Sequence, residues 1–331
     1  MQFLAYTDPA FRLTGRWDPT SGASATATAT GSYFEFAFTG DMATILLDVA
    51  LNGTPRIHLW IELDGGDRFE VPADTYLRVH AKTAGNHVCR VIYKGGTETD
   101  SRWYAPLHGK ITVCGAWVDA PGVLPADNRP TIEFVGDSIT EGVLTDADYA
   151  HGGRQVFDTE IHNRCYQDDV CATYAWLTAE ALDLRPIFMG YGAVGVTRSG
   201  QAFVPAAPVS YPFNFDGSPI TRPQPDYILV NHGANDRAKT PEVYVKCYGD
   251  LLDVIRSMNP TAKIFSLAAF CGGHHDALKE FIPRYNAEHG ANVIFLDSAG
   301  WVPLEPLHPL RDGHKTIAEH LTALMAPLLN K

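Results

Sequence analysis

Four short stretches carry residue types that do acyl chemistry together. Gly136-Asp137-Ser138-Ile139-Thr140 puts a serine in a glycine-flanked turn directly after the apolar run 131–135. A serine so placed exposes its hydroxyl as a nucleophile, or it simply caps a helix or forms a turn. Gly190-Tyr191-Gly192-Ala193-Val194-Gly195 follows a second apolar run. Its glycines permit close backbone approach and can free an N–H for an anion, or they only make a tight turn. Val230-Asn231-His232-Gly233-Ala234-Asn235-Asp236 follows a third run. The Asn235 amide is the right type to donate to a developing oxyanion, and it is equally a common turn residue. Glu305-Pro306-Leu307-His308-Pro309 comes after the last apolar run. Its histidine is a candidate base. Glu305, three residues earlier, can meet one imidazole nitrogen while the other faces a serine.

These turns need elements to hold them. After residue 130, near-continuous apolar runs at 131–135, 186–189, 227–230, 262–267 and 292–296 read as parallel strands covered on both faces. Helical patterns lie between and after them, at 172–182, 240–257, 276–289 (with Pro283) and 313–329. Thr240-Pro241-Glu242 is an N-cap, a first-turn proline and an early acid. The alternation predicts an α/β layer with a five-stranded parallel sheet, whose carboxyl-terminal strand ends collect function.

Residues 1–119 are different. Alternating runs at 33–38, 43–49, 56–63, 87–94 and 111–118 have no helical period, and Asp64-Gly65-Gly66-Asp67 is a hairpin turn by composition. They predict an all-β jelly roll or sandwich. Residues 21–31, rich in Ser, Ala, Thr and Gly, read as a loop or plain edge strand. Residues 120–130 hold three prolines and a glycine and read as a linker. The expected organisation is therefore 1–119, linker 120–130, and 131–331.

A formal charge of −12, from 26 basic and 38 acidic residues, argues against nucleic acid or an anionic membrane as partner. No apolar run is long enough to cross a bilayer. The first residues lack a basic, apolar leader, so the expected location is the cytoplasm. Six cysteines without such a leader fit free thiols, with Cys165 and Cys171 the pair nearest in sequence. His274-His275 has no supporting carboxylate or cysteine pattern, so no metal is expected. The oligomeric state is not legible.

Taken in order, Ser138 in Gly-Asp-Ser, Gly192, Asn235 in Gly-x-Asn-Asp and His308 in His-Pro-x3-Gly-His resemble the four blocks of the SGNH (GDSL) hydrolases. The resemblance covers 131–331 and implies a three-layer α/β/α domain. Ile132-Glu133-Phe134-Val135-Gly136-Asp137-Ser138-Ile139-Thr140, and the insertion before Tyr174-Ala175-Trp176-Leu177, further resemble family 2 carbohydrate esterases, which carry a jelly roll before the hydrolase domain. The resemblance implies a cofactor-free serine esterase acting on acetyl or other short acyl groups of carbohydrates. Ser138 and His308 would be its catalytic pair. The backbone N–H groups of Ser138 and Gly192, with the Asn235 side chain, would form its oxyanion hole. The family usually has Asp three residues before the histidine, where this chain has Glu305; some members use a backbone carbonyl instead. Glu305 either orients His308 or points to solvent, with Asp297 in reserve and Asp312 reading as a helix-start acid. Asp137, beside the nucleophile, and Trp301, near the His308 loop, are candidate substrate contacts, with core packing the alternative for Trp301. Asp148, Tyr149, His151 and His162, in the insertion 143–170, are candidates to wall the site. The same serine–histidine pair would serve an acyltransferase. A glycan-binding protein with a vestigial site is the third reading.

Overall fold

The computed structural model describes residues 1–19, 21–147 and 164–329. Asp148, Tyr149, His151 and His162 lie outside the described residues.

Eight antiparallel strands come first: β1 (Gln2–Ala5), β2 (Phe11–Thr14), β3 (Ala25–Ala27), β4 (Tyr33–Leu47), β5 (His58–Leu63), β6 (Phe69–Pro72), β7 (Tyr76–Gly95) and β8 (Ile111–Pro121). They pair in the order β1-β8-β4-β7-β5-β6, with β2 on β4 and β3 on β8. The runs 33–38 and 43–49 are not separate strands. They belong to the single strand β4, interrupted by a register shift between Gly40 and Met42. Gly40 takes φ +132°, which an L side chain rarely adopts, and with the register shift it makes a bulge inside one strand. β3 is also more than a loop. Ala25 and Ala27 are sealed in the core of this sheet, where small side chains let β8 pack closely.

The second sheet is parallel: β9 (Thr131–Gly136), β10 (Arg185–Gly190), β13 (Tyr227–Asn231), β14 (Lys263–Leu267) and β15 (Ile294–Leu296), in the order β10-β9-β13-β14-β15. A two-stranded ribbon, β11 (Phe213–Phe215) and β12 (Ser218–Pro219), stands apart. Helices α1 (Ser138–Glu141), α2 (Arg164–Gln167), α3 (Tyr174–Ala181), α4 (Ala207–Ser210), α5 (Pro241–Met258), α6 (His275–His289) and α7 (Arg311–Met325) complete the chain. Side chains of β13 alternate between two cores. Ile228 and Val230 pack with Tyr244, Tyr248 and Leu252 of α5, while Tyr227 and Leu229 pack with Trp176 of α3 and Ile317 of α7. Both faces are thus apolar, which is why these strands read as unbroken hydrophobic runs.

The two sheets are not beads on a linker. Tyr33 and Ile92 of the antiparallel half share a core with Phe134 and Phe188 of the parallel sheet. Buried charges cross the boundary as well. Arg16 Nε donates to Glu133 Oε1 at 3.0 Å, with Arg222 on the other side of the same carboxylate. Arg102 pairs with Glu141 of α1, both fully buried. Lys94 Nζ donates to Cys165 O at 2.9 Å, and Trp60 Nε1 to Asp169 Oδ1 at 2.9 Å. A sealed carboxylate without its cation is expensive, whereas an apolar isostere of the whole pair is not. Arg102→Met is therefore expected to cost about 3–5 kcal/mol in chemical denaturation. Adding Glu141→Gln should recover much of that loss; a double variant as unstable as Arg102→Met would contradict the pairing.

Candidate active site

β9 is the middle of a switch. Its two neighbours are reached in opposite directions along the sheet, so a crevice opens at its carboxyl end. Ser138 sits there as the first residue of α1. Asp137 caps the helix: its Oδ1 accepts from the Ile139 N–H at 3.0 Å. The turn is tight because Gly190, the last residue of β10, lies at close range; a Cβ on it would lie 2.6 Å from the Glu141 nitrogen.

His308 enters from the loop between β15 and α7. Its Nε2 lies 2.8 Å from Ser138 Oγ. This is the distance a base needs to take the hydroxyl proton. Burial, and then the nearby Arg164 guanidinium, push its pKa down to about 4. Both effects favour the neutral ring. Glu305 is exposed and makes no hydrogen bond to His308, so the structure does not bring those two together. A carboxylate left in water gains nothing from the imidazole, and it does not raise the His308 pKa. Asp297, the reserve acid, is engaged elsewhere, accepting from His275 Nε2 at 2.8 Å and Lys279 Nζ at 3.0 Å.

Among the described residues, neither the Ser138 nor the Gly192 N–H donates to a protein group. For Ser138 this follows from its place at the first helical position, where no carbonyl lies four residues back. Asn235 is close by. Its Nδ2 donates to Asp137 Oδ2 at 3.2 Å and to Val194 O at 3.1 Å. The amide is thus fixed between the nucleophile turn and the Gly192 turn. The Gly192 turn is pinned a second time by buried Asp236, which accepts from the Val196 N–H at 3.2 Å and the Thr197 N–H at 2.9 Å.

Two expected substrate contacts are placed otherwise. Asp137 is fully buried with both oxygens engaged, so it faces the turn and not the cleft. Burial foremost, then the charges of Asp236 and Glu141, lift its pKa to about 7. Trp301 packs against the core and stacks on His320 of α7 at 5.3 Å, 19° between planes. Asp312 lies in the first turn of α7, as its sequence position suggested. His274 and His275 bond to Asp236 O and to two aspartates. Among the described residues, no cluster of His, Cys, Asp or Glu is arranged to hold a metal ion, and no helix is long and apolar enough to cross a membrane. All six cysteines are unpaired.

No motif in the sequence marks Arg164, within the insertion 143–170, or Glu98. Arg164 Nη2 donates to Glu98 Oε1 at 3.1 Å, and its Nε to Asp168 Oδ1 at 3.3 Å. Glu98 lies in the polar turn 96–110 between β7 and β8. That turn also carries Asp100, Arg102 and Lys110, so nothing local marks Glu98 out. The influence of Arg164 on His308 is directly measurable: Arg164→Met should raise the His308 pKa in an NMR titration, and an unmoved pKa would place the cause elsewhere.

No protein family profile matches the sequence, and no curated protein does either. Solved structures do match. A family two carbohydrate esterase from Cellvibrio japonicus aligns at TM-score 0.80 and 22% identity, over 99% of this chain and 97% of that one. The acetyl xylan esterase Est2A from the rumen bacterium Butyrivibrio proteoclasticus aligns at 0.77 and 18%, over 99% of each. A salicylyl-acyltransferase from a tetracycline biosynthetic pathway aligns at 0.62 and 16%, over 99% and 98%. Along essentially its whole length, this chain therefore has the fold of the family two carbohydrate esterases.

Proposed function

We propose that the chain is a serine esterase of the SGNH type that removes acetyl or other short acyl groups from carbohydrate esters. The observation that carries this reading is the 2.8 Å contact between Ser138 Oγ and His308 Nε2 beside two unengaged backbone N–H groups. The shared fold with carbohydrate esterases supports the substrate class.

In this mechanism neutral His308 takes the Ser138 proton as Oγ attacks the ester carbonyl carbon. The carbonyl π electrons move to oxygen, where the Ser138 and Gly192 N–H groups receive the charge, and the Asn235 amide joins them by exchanging one of its two resting bonds, to Asp137 or Val194, for the oxyanion. The intermediate collapses, His308 protonates the leaving alcohol, and an acyl-Ser138 remains. Water, deprotonated by His308, attacks that acyl group and releases the acid. Glu305 has no part in this scheme. A base held neutral by burial needs no carboxylate to remain a base, although it forgoes the stabilisation a carboxylate gives to the imidazolium.

Ser138→Ala is expected to abolish release of acetate from an acetylated glycoside, with circular dichroism unchanged. Full turnover in that variant would remove the mechanism. Asn235→Ala should lower kcat by about 10²–10³-fold; a loss below about threefold would leave Asn235 as a fixture of the turn alone. The acyltransferase relative favours a second reading, in which an alcohol replaces water in the last step. Partition of the acyl group between water and an added sugar acceptor distinguishes the two.

A further inference from the structure

Glu98 belongs to the antiparallel half, yet its carboxylate reaches the site at the end of β9. Two separate observations place it there. Its Oε1 accepts from Arg164 Nη2 at 3.1 Å, and Arg164 is the cation that acts on His308. Its Oε2 lies on the Gly192 side: a Cβ added to Gly192 would stand 2.6 Å from it. The carboxylate therefore spans the space between the base and the Gly192 turn. Its side chain is 17% exposed.

The two oxygens differ. Oε1 is held by the arginine. Oε2 accepts from no described residue, and it is not among the polar atoms sealed from solvent without a partner. An anionic oxygen with no partner among the described residues, beside the proposed oxyanion hole, opposes the reaction unless its charge is used. Arg164 offsets part of that charge, and a donor from the substrate would use the rest. The acyl part of an acetyl ester has no hydrogen-bond donor, whereas a polyol bearing the ester has several.

We propose that Glu98 is a specificity-determining residue of this site. Its Oε2 accepts a hydrogen bond from a free hydroxyl of the sugar or polyol that carries the ester, while Arg164 holds the carboxylate in place. The antiparallel half then reads the alcohol part of the substrate, and the parallel half handles the acyl transfer. Gly192 is required as glycine for a second reason, since a side chain there would occupy the position of Oε2. This inference rests on the esterase reading.

The test compares kcat/KM for two acetyl esters, a monoacetylated methyl glycoside with free neighbouring hydroxyls and 4-nitrophenyl acetate, which has none. A hydrogen bond to a charged acceptor is worth about tenfold or more in binding. Glu98→Ala is expected to lower the glycoside-to-phenyl-ester ratio of kcat/KM by at least about tenfold, mostly through KM for the glycoside. Glu98→Gln keeps shape and one acceptor oxygen, so its ratio should fall less, and it guards against a packing defect in the alanine variant. Equal losses on both esters, or an unchanged ratio, would overturn the assignment. Ser138→Ala is measured alongside. Turnover surviving in it would overturn the esterase reading and the Glu98 assignment together, whereas an unchanged ratio with Ser138→Ala inactive overturns the assignment alone.

Discussion

The buried pair of Arg102 and Glu141 ties the nucleophile's helix to the antiparallel half. Glu141 ends the short helix that begins with Ser138. It is sealed from water, and burial drives its pKa upward against the pull of the arginine. A carboxylate in that position holds the helix in place only while the guanidinium stays beside it. The guanidinium comes from the antiparallel half. The nucleophile is thus positioned from two directions, by the end of β9 behind it and by the charge across the boundary. Glu133, within β9 itself, is held in the same way by Arg16 and Arg222. The two sheets are consequently one mechanical unit, and the apolar core they share is a second expression of the same union.

The electrostatics at the base run against the usual serine-hydrolase scheme. A carboxylate behind the imidazole raises its pKa and stabilises the cation that forms. Here the neighbours are an arginine and a second buried histidine, His314, whose own pKa burial pushes to about 3. His314 Nδ1 accepts from the Tyr174 N–H at 3.1 Å, and the Tyr174 hydroxyl meets Thr140 Oγ1 at 2.8 Å. The ring side of the site is therefore neutral and rigid. It favours a base ready to accept a proton across a wide acidic range, at some loss of driving force for the proton transfer itself.

Much of this was legible because the relevant signals are local. Ser138, Gly192 and Asn235 each lie within five residues of the end of an apolar run, where turn composition marks the end, and His308 lies in the loop that follows the last run. The parallel strands were legible for a related reason: burial on both faces leaves few polar residues in them, Glu133 of β9 being an exception held by arginines. What was not legible depends on direction or on distance. Three residues of spacing permit Glu305 to meet His308, but spacing does not say which way a side chain turns, and this one turns to solvent. Asp137 stands next to the nucleophile, yet the capping bond points it inward. The runs 33–38 and 43–49 read as two strands, and only pairing with β7 reveals one strand with a bulge between them. Arg164 and Glu98 meet across 66 positions of sequence, and no pattern inside either segment encodes the other.

The pairing of charges also has an order in time. The arginines that neutralise Glu133 and Glu141 from the antiparallel half are Arg16 and Arg102, and both precede their carboxylates along the chain. A ribosome therefore delivers the cations first, on a half that can begin to organise before the parallel sheet exists. Free arginine side chains tolerate that wait well, since they remain hydrated and charged in any compact intermediate. Glu133 and Glu141 therefore emerge after Arg16 and Arg102, while Arg222, the second partner of Glu133, follows later in the chain. The nucleophile's strand and helix are thus translated after both of the arginines that reach them from the antiparallel half.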